Sequence, residues 1–164
     1  MIEMFHIVKG DSHQCGLLKT KETAMSEIAK PHAAVLRPSA LPRHERGGGA
    51  VTTPLVGPQC GAAAFINGIT SFGPSTEIPF HSHNCEESVM LLEGDAMLDI
   101  HGQDSVRLQP LDTTWLPPNL SHRFRNLSDT QPMKILWIYA RTDATRTLTD
   151  SGQTNYVSAE HNKK

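Results

Sequence analysis

The sequence has few cysteines, no long apolar run and no large excess of charge of either sign. Its three cysteines, Cys15, Cys60 and Cys85, lie far apart and form no Cys-x-x-Cys pair, which argues against a disulfide framework or a zinc knuckle and favours a reducing cytoplasm. No run approaches the ~18 apolar residues that a membrane span needs, and the N-terminus predicts no signal peptide. With 15 Lys and Arg against 17 Asp and Glu, the chain offers no basic field to nucleic acid. We therefore expect a soluble cytoplasmic protein that binds neither nucleic acid nor membrane.

The 164 residues are enough for one domain with its own apolar core, and their composition changes twice along the chain. Residues 1–49 are polar and irregular, and "PSALPRHERGGG" at 38–49 is rich in proline and glycine, so we predict an N-terminal arm and loop that are partly flexible. Residues 50–142 hold the predicted folded domain. Residues 143–164 form a polar C-terminal tail.

Short runs rich in Val, Ile, Phe and Thr fill the region 50–142, separated by turn signals such as "FGPS", "EGD", "HGQD" and "PPN". Runs of this length with no long helical period between them predict strands of an antiparallel sandwich or barrel. The predicted fold class is therefore all-β. The runs are "AVTTPLV", "AAFINGITSF", "ESVMLLEG", "AMLDIHG", "SVRLQ", "TTWLP", "SHRFRN" and "MKILWIYA".

Three histidines and a glutamate have the spacing of a metal site. On a strand, His81 and His83 point to the same side with Cα atoms ~6.6 Å apart, so that both imidazoles can reach one ion. Glu87 enters the neighbouring strand, from which its carboxylate can turn back toward the pair, and His122 begins a later strand after a proline-rich turn. Three imidazoles and one carboxylate suit one divalent ion of Fe, Mn, Ni, Co, Cu or Zn. Four protein ligands leave an octahedral ion two positions for water or substrate, as in a catalytic site.

The residues around these four resemble the two sequence motifs of the cupin superfamily. His81, His83, Glu87 and Gly94 match the first motif, His-x-His, three residues, Glu, six residues, Gly. In the second motif, Pro117, His122 and Asn126 match, whereas Leu111 and Asn119 stand where the family usually has glycine. The resemblance covers roughly residues 50–142. It implies a double-stranded β-helix, or jelly-roll barrel, of the small single-domain type, with a metal near its mouth and commonly a homodimer.

The resemblance does not imply one activity, since cupins include dioxygenases, decarboxylases, isomerases, lyases and binding proteins. Our first hypothesis is a metalloenzyme that acts on a small oxygenated molecule, and no catalytic base can be named. The second is a non-catalytic sensor or module that binds a small ligand. Strand parity predicts an apolar inner face beside the ligands, formed by Val89, Leu91 and Phe124. Phe124, Asn67 and Tyr139 are our candidate substrate-binding residues, and Thr70 is a further polar candidate.

Four other features have simpler interpretations. Cys85 lies between predicted ligands in the sequence and is expected to be a bystander. Arg141 and Arg146 could hold an anionic substrate over the barrel mouth, but charged residues in a polar tail are expected to be solvated. Trp115 and Trp137 are expected in the core or at an interface. The apolar strand "KILWIYA", residues 134–140, carries more large side chains than one inner face needs, which predicts a two-fold dimer.

Overall fold

The structure, a computed structural model, describes residues 33–160, and the first 32 residues of the expected N-terminal arm lie outside that range. Two short 3₁₀ helices lie at Pro38–Ala40 and Pro58–Cys60, and the α-helix α1 covers Val157–Glu160. None of the described helices is long and apolar enough to cross a membrane. The strands are β1 (His44–Gly47), β2 (Ala50–Pro54), β3 (Ile66–Phe72), β4 (His81–His83), β5 (Glu87–Glu93), β6 (Ala96–Ile100), β7 (Val106–Leu108), β8 (Thr113–Leu116), β9 (His122–Asn126), β10 (Met133–Tyr139), β11 (Thr145–Leu148) and β12 (Thr154–Tyr156).

The strands form two six-stranded antiparallel sheets. The first sheet has the order β1-β2-β3-β10-β5-β8, and the second has the order β12-β11-β4-β9-β6-β7. Successive strands repeatedly cross from one sheet to the other, as in a double-stranded β-helix, so the all-β prediction is confirmed. Every strand predicted between residues 50 and 142 is present.

The core lies between the sheets and follows the two-residue period of the strands. In β10, buried and half-buried residues alternate along the whole strand, and in β5 they do so up to its exposed last residue, Glu93. Val89 and Leu91 are fully buried, and Phe124 of β9 is 1% exposed, which confirms the predicted apolar inner face. Trp137 belongs to this core, whereas Trp115 on the edge strand β8 is 65% exposed.

The two sheets extend beyond the range 50–142 on both sides. Strand β1 lies in the segment expected to be a loop, and it pairs with β2 through a turn made by Gly47, Gly48 and Gly49, all with positive φ. Strands β11 and β12 lie in the expected polar tail, where β11 pairs with β4 in the second sheet. The side chains of β11 are all half-buried, because it adds to a sheet edge and not to the middle of the core.

The two motif positions that lack the usual glycine keep the backbone that glycine would favour. Leu111 has φ 78° and Asn119 has φ 65°, in the left-handed region that costs an L-residue ~1–2 kcal/mol. Gly94, which the motif does conserve, has φ 97°, and a Cβ there would come within 2.7 Å of the Met133 Cα. The turns that frame the site therefore keep their geometry despite the two substitutions.

Candidate metal centre

The three predicted histidine ligands lie close together on the inner face of the second sheet. His81 and His83 both point inward from β4, and His81 is paired directly with His122 on the adjacent strand β9. All three side chains are buried, with 2–3% of their surface exposed. One ring nitrogen from each lies within 4.8 Å of the others, so the three residues could hold one metal ion.

Hydrogen bonds to the main chain determine which nitrogen each imidazole presents to the cluster. Every Nδ1 lies 2.8–2.9 Å from a carbonyl oxygen. Since a carbonyl can only accept, Nδ1 carries the proton, and the neutral ring presents the lone pair of Nε2 to the cluster. Metal-binding histidines are commonly oriented in this way. The acceptors are Pro79 for His81, Thr145 for His83 and Leu120 for His122.

Glu87 reaches the cluster from the opposite sheet. β4 and β5 do not pair, because the bend between them takes the chain from the second sheet to the first. The Glu87 Oε2 lies 3.0 Å from the His122 Nε2 and 3.6 Å from the His83 Nε2. Among the described residues 33–160, none of these three atoms has a well-aligned hydrogen-bond partner. A buried carboxylate surrounded by imidazole lone pairs needs a cation, either a proton or a metal ion.

The electrostatics of the cluster distinguish His122 from the other two histidines. Burial lowers the pKa of His81 well below its usual value, and burial also lowers the pKa of His83. For His122, burial would lower the pKa, but the adjacent Glu87 carboxylate raises it above the usual value. Burial alone would raise the pKa of Glu87, but His83, His122 and Tyr139 together lower it. Of the three rings, His122 is therefore the one that most readily holds a proton in the metal-free protein.

A cavity of about 40 Å³ adjoins His81 and Glu87 inside the barrel, enough for about one or two water molecules. On one side, the Thr52 and Thr70 hydroxyls are 2.8 Å apart, and the Trp137 Nε1 donates to the Thr70 Oγ1 at 3.0 Å. Because these polar groups are hydrogen-bonded to one another, their side chains are held in place and form a rigid part of the cavity wall. The apolar part of the wall consists of Phe72, Ile78, Phe124, Ile135, Trp137 and Val157.

The structure brings two of the three candidate substrate-binding residues to the cavity. Phe124 and Tyr139 both line it, and the Tyr139 ring lies against His83 with centroids 4.3 Å apart. Burial raises the pKa of Tyr139 well above its usual value, so the hydroxyl stays protonated. Asn67 is not in the cavity, because its Oδ1 accepts a hydrogen bond from the Val56 amide in another part of the fold. Cys85 is buried and also lies outside the cavity wall.

Two arginines line the cavity, and one of them, Arg46, was not singled out from the sequence. Arg146 on β11 is paired directly with His83, so its side chain points to the same side of the sheet and into the cavity. The expectation that Arg146 is solvated is therefore wrong, since only 14% of its side chain is exposed. Arg46 reaches the cavity from β1. By contrast, Arg141 is 42% exposed and forms an ion pair with Asp143.

Comparison with known proteins identifies the class to which this arrangement belongs. The family profile described as the cupin domain matches residues 68–139, the segment that begins within β3, ends with β10 and contains all four predicted ligands. This segment of the chain is a cupin domain. No curated protein matches the sequence significantly.

Solved structures with the same fold differ in what they do. A sugar phosphate isomerase from Silicibacter pomeroyi is 21% identical, with a TM-score of 0.61 over 76% of this chain and 94% of that one. The polyketide cyclase RemF from Streptomyces resistomycificus is 17% identical, with a TM-score of 0.60 over 77% and 86%. An oxalate decarboxylase from Lactobacillus farciminis is 17% identical, with a TM-score of 0.60 over 68% of this chain and 34% of its own. At these identities the likeness is one of fold alone.

Proposed function

We propose that the protein is a metal-dependent enzyme in which His81, His83, Glu87 and His122 hold one divalent transition-metal ion. The observation that carries the proposal is the convergence of three buried imidazole nitrogens within 4.8 Å of one another, with the Glu87 carboxylate 3.0 and 3.6 Å from two of them. Three imidazoles and a carboxylate favour Fe, Mn, Ni, Co, Cu or Zn over Ca or Mg. When bound, such an ion would polarise an oxygen of the substrate as a Lewis acid or, in the case of iron, activate dioxygen.

The protein's own groups would position a small oxygenated substrate beside the ion. The main-chain carbonyls fix the three rings, so the nitrogens need no reorganisation to bind. Phe124 and the neighbouring apolar side chains limit water in the cavity. Tyr139 keeps its proton at neutral pH and hydrogen bonds with Glu87, so it would orient that carboxylate beside the substrate. The reaction class stays within the dioxygenase, isomerase, lyase and decarboxylase types.

Substitution of each ligand tests the metal centre directly. We expect His81→Ala, His83→Ala, Glu87→Ala and His122→Ala each to lower the metal content to below one ion per chain, measured by elemental analysis of protein purified without a histidine tag. His101→Ala is the matched control, because His101 is exposed in a turn after β6, and it should keep full metal. The variants should remain folded, since the apolar core does not depend on the ion. Full metal in His122→Ala with loss in His81→Ala would contradict the four-ligand site.

A non-catalytic binding protein is the second candidate. Among the described residues, the cavity wall contains no carboxylate or histidine besides His81 and Glu87, so no free general base stands next to the ion. Dioxygen-consumption measurements and a metabolite panel with the metal-loaded protein separate the two functions. Turnover supports the enzyme, and saturable binding without product supports the binding protein.

We also propose a two-fold homodimer formed through the outer face of the first sheet. Leu136 of β10 is paired with Ile69 on one side and with Met90 on the other, so three half-buried apolar side chains form a row on that face. Light scattering at tens of micromolar should give the mass of two chains, and Leu136→Glu should reduce it to one. Val106→Glu, on the edge strand β7, is the control. A single-chain mass for the unmodified protein would contradict the dimer.

Cysteine usage supports the cytoplasm as the compartment in this proposal. Cys60 and Cys85 are free thiols, which persist most readily in a reducing environment.

A further inference from the structure

Arg46, Arg146 and Glu160 form a cluster of charges at the cavity, which we call the Arg-Glu-Arg cluster. The Glu160 carboxylate forms an ion pair with Arg46 through one oxygen and lies 3.1 Å from the Arg146 Nε through the other. Between 10% and 14% of each side chain is exposed. Two guanidinium groups thus share one carboxylate in a largely dry environment, which leaves one positive charge in excess.

Different parts of the fold aim the two guanidinium groups at the same cavity. Arg146 points inward because it is paired with the predicted ligand His83 across β11 and β4. Arg46 sits at a register shift between Glu45 and Gly47, where β1 has an extra residue relative to β2. A bulge of this kind redirects a side chain. Both arginines share the wall of the cavity with His81 and Glu87.

The hydrogen bonds within the Arg-Glu-Arg cluster are poorly formed. The Arg146 Nε and the Glu160 Oε2 are buried, and neither has an aligned hydrogen-bond partner among residues 33–160. A guanidinium and a carboxylate normally meet as a planar fork with two parallel hydrogen bonds. Glu160 meets the two guanidinium groups through separate oxygens and so does not form that fork with either of them. A free carboxylate could orient itself between the two arginines and form the bonds that Glu160 leaves unmade.

The segment that carries Glu160 closes the cavity with few contacts. Val157 is its buried anchor, 3% exposed, and lines the cavity. The Val157 amide donates to the Ala144 carbonyl, while Ser158 and Ala159 are exposed. Apart from the ion pairs of Glu160, the segment is anchored chiefly by Val157, so a ligand that replaces Glu160 on the arginines would let it move aside at low cost. Its movement would enlarge a cavity that now has room for only about one or two water molecules.

We propose that Arg46 and Arg146 form a binding site for the carboxylate of a small organic acid, and that Glu160 occupies this site until the acid displaces it. This inference names the substrate class of the proposed metal centre and in that sense rests on the proposed function. The acid would lie with its carboxylate on the arginines and the rest of the molecule toward the histidine cluster. Glu160 acts as an internal competitor and, together with Val157, as a closure.

The test measures binding of three probes, pyruvate, the neutral isostere pyruvamide and inorganic phosphate, by isothermal titration with metal-free and metal-loaded protein. Glu160→Gln removes the competing charge at constant size and should bind pyruvate at least tenfold more tightly than the unmodified chain. Arg46→Gln and Arg146→Gln should lose pyruvate binding by a similar factor or more. Pyruvamide should respond to none of these changes. Glu45→Gln and Arg141→Gln, which alter exposed neighbours, should bind pyruvate like the unmodified chain.

Circular dichroism and thermal melts establish whether each variant is folded. If Arg146→Gln does not fold, Arg146→Lys takes its place; because it keeps the charge, it should retain part of the affinity for pyruvate. Unchanged or weaker pyruvate binding in Glu160→Gln would overturn the proposal, as would phosphate binding more tightly than pyruvate at the same arginines. Metal content is measured on the same samples. If the metal content is full but pyruvate affinity is unchanged in the Glu160 and arginine variants, the carboxylate site is refuted and the metal centre is not. Absent metal with the expected pyruvate pattern refutes the metal centre and leaves the carboxylate site standing.

Discussion

Metal binding at pH 6 should release fewer protons per ion than a cluster of three ordinary histidines would release. Each imidazole must be neutral at Nε2 to bind, so any proton on that nitrogen is displaced by the ion. The number released therefore reports how many of the three rings are charged in the metal-free protein. The structure assigns most of that charge to one ring, His122.

The expected reduction follows from the directions of the three pKa shifts. At pH 6, a histidine with the ordinary pKa of ~6.5 is about three-quarters protonated, so three of them would release about 2.3 protons. Burial lowers the pKa of His81 well below that value and lowers that of His83 as well. Burial opposes protonation of His122, but Glu87 raises its pKa above the ordinary value, so it stays mostly protonated. His122 therefore contributes most of the protons released, and His83 contributes fewer.

Isothermal titration of Zn²⁺ into metal-free protein, repeated in buffers of different ionisation enthalpy, gives the number of protons released. At pH 6 the measurement stays below the pH of ~7 at which zinc-bound water ionises. Glu87→Gln is the informative variant, because the carboxylate is the main group that raises the pKa of His122, beside the Leu120 carbonyl, and without it the proton release should fall. Release of two or more protons by the unmodified chain, or no change in Glu87→Gln, would refute the assignment of the proton to His122.

Two further predictions concern stability. Leu111 is 72% exposed and has φ 78°. Leu111→Gly should therefore raise the free energy of unfolding in urea by about 0.5–1 kcal/mol, which is the cost of the left-handed backbone less the chain entropy that glycine loses on folding. Leu111→Ala should not raise it. The second prediction concerns Asp99, which is 8% exposed and whose pKa is lowered by hydrogen bonds from Arg125, then Ser105 and Arg123. Because Asp99→Asn removes the charge that these groups stabilise, it should lower the free energy of unfolding by about 1–3 kcal/mol at pH 7. The pKa of Asp99 in the folded protein lies below the unfolded value of ~3.8, so the stabilisation by the ionised carboxylate is complete above pH ~3.8 and is lost as the pH falls through the folded pKa. The free energies of unfolding of the variant and the unmodified chain, measured by chemical unfolding, should therefore converge in acid.

The strands of the core could be predicted from the sequence because their patterns are set by burial. In β5 and β10 one face is fully covered, so apolar residues recur at every second position and the parity of Glu87, Val89 and Leu91 follows. The histidine pair on β4 follows from the same parity. Strands β1, β11 and β12 give no such signal, because they extend sheet edges and bury neither face completely. Their sequences therefore read as a loop and a polar tail.

The arginines of the cavity could not be found in this way because their positions depend on register. Arg146 points inward only because β11 pairs with β4 so that it lies opposite His83. Nothing in "ATRTLTD" fixes that pairing. Arg46 depends on a bulge beside three glycines, where the same residues are equally compatible with a loop. The motif positions Leu111 and Asn119 show a related case, since the family usually has glycine there and both residues keep a positive φ that their types alone do not predict.

The charges around the cavity link the two proposed binding events. With His122 protonated, that ring and the two guanidinium groups of Arg46 and Arg146 face the two carboxylates of Glu87 and Glu160, so the metal-free cavity carries one positive charge in excess. A divalent ion would displace that proton and increase this excess of positive charge in a medium that screens it poorly. A carboxylate that enters would then be attracted by the ion as well as by the arginines. By linkage, the same coupling free energy must make the ion bind more tightly when the carboxylate is present. An enzyme built on this cavity would bind its metal most tightly while its acid substrate is bound. When the substrate is absent, the Glu160 carboxylate would supply part of the negative charge that the substrate carboxylate otherwise provides.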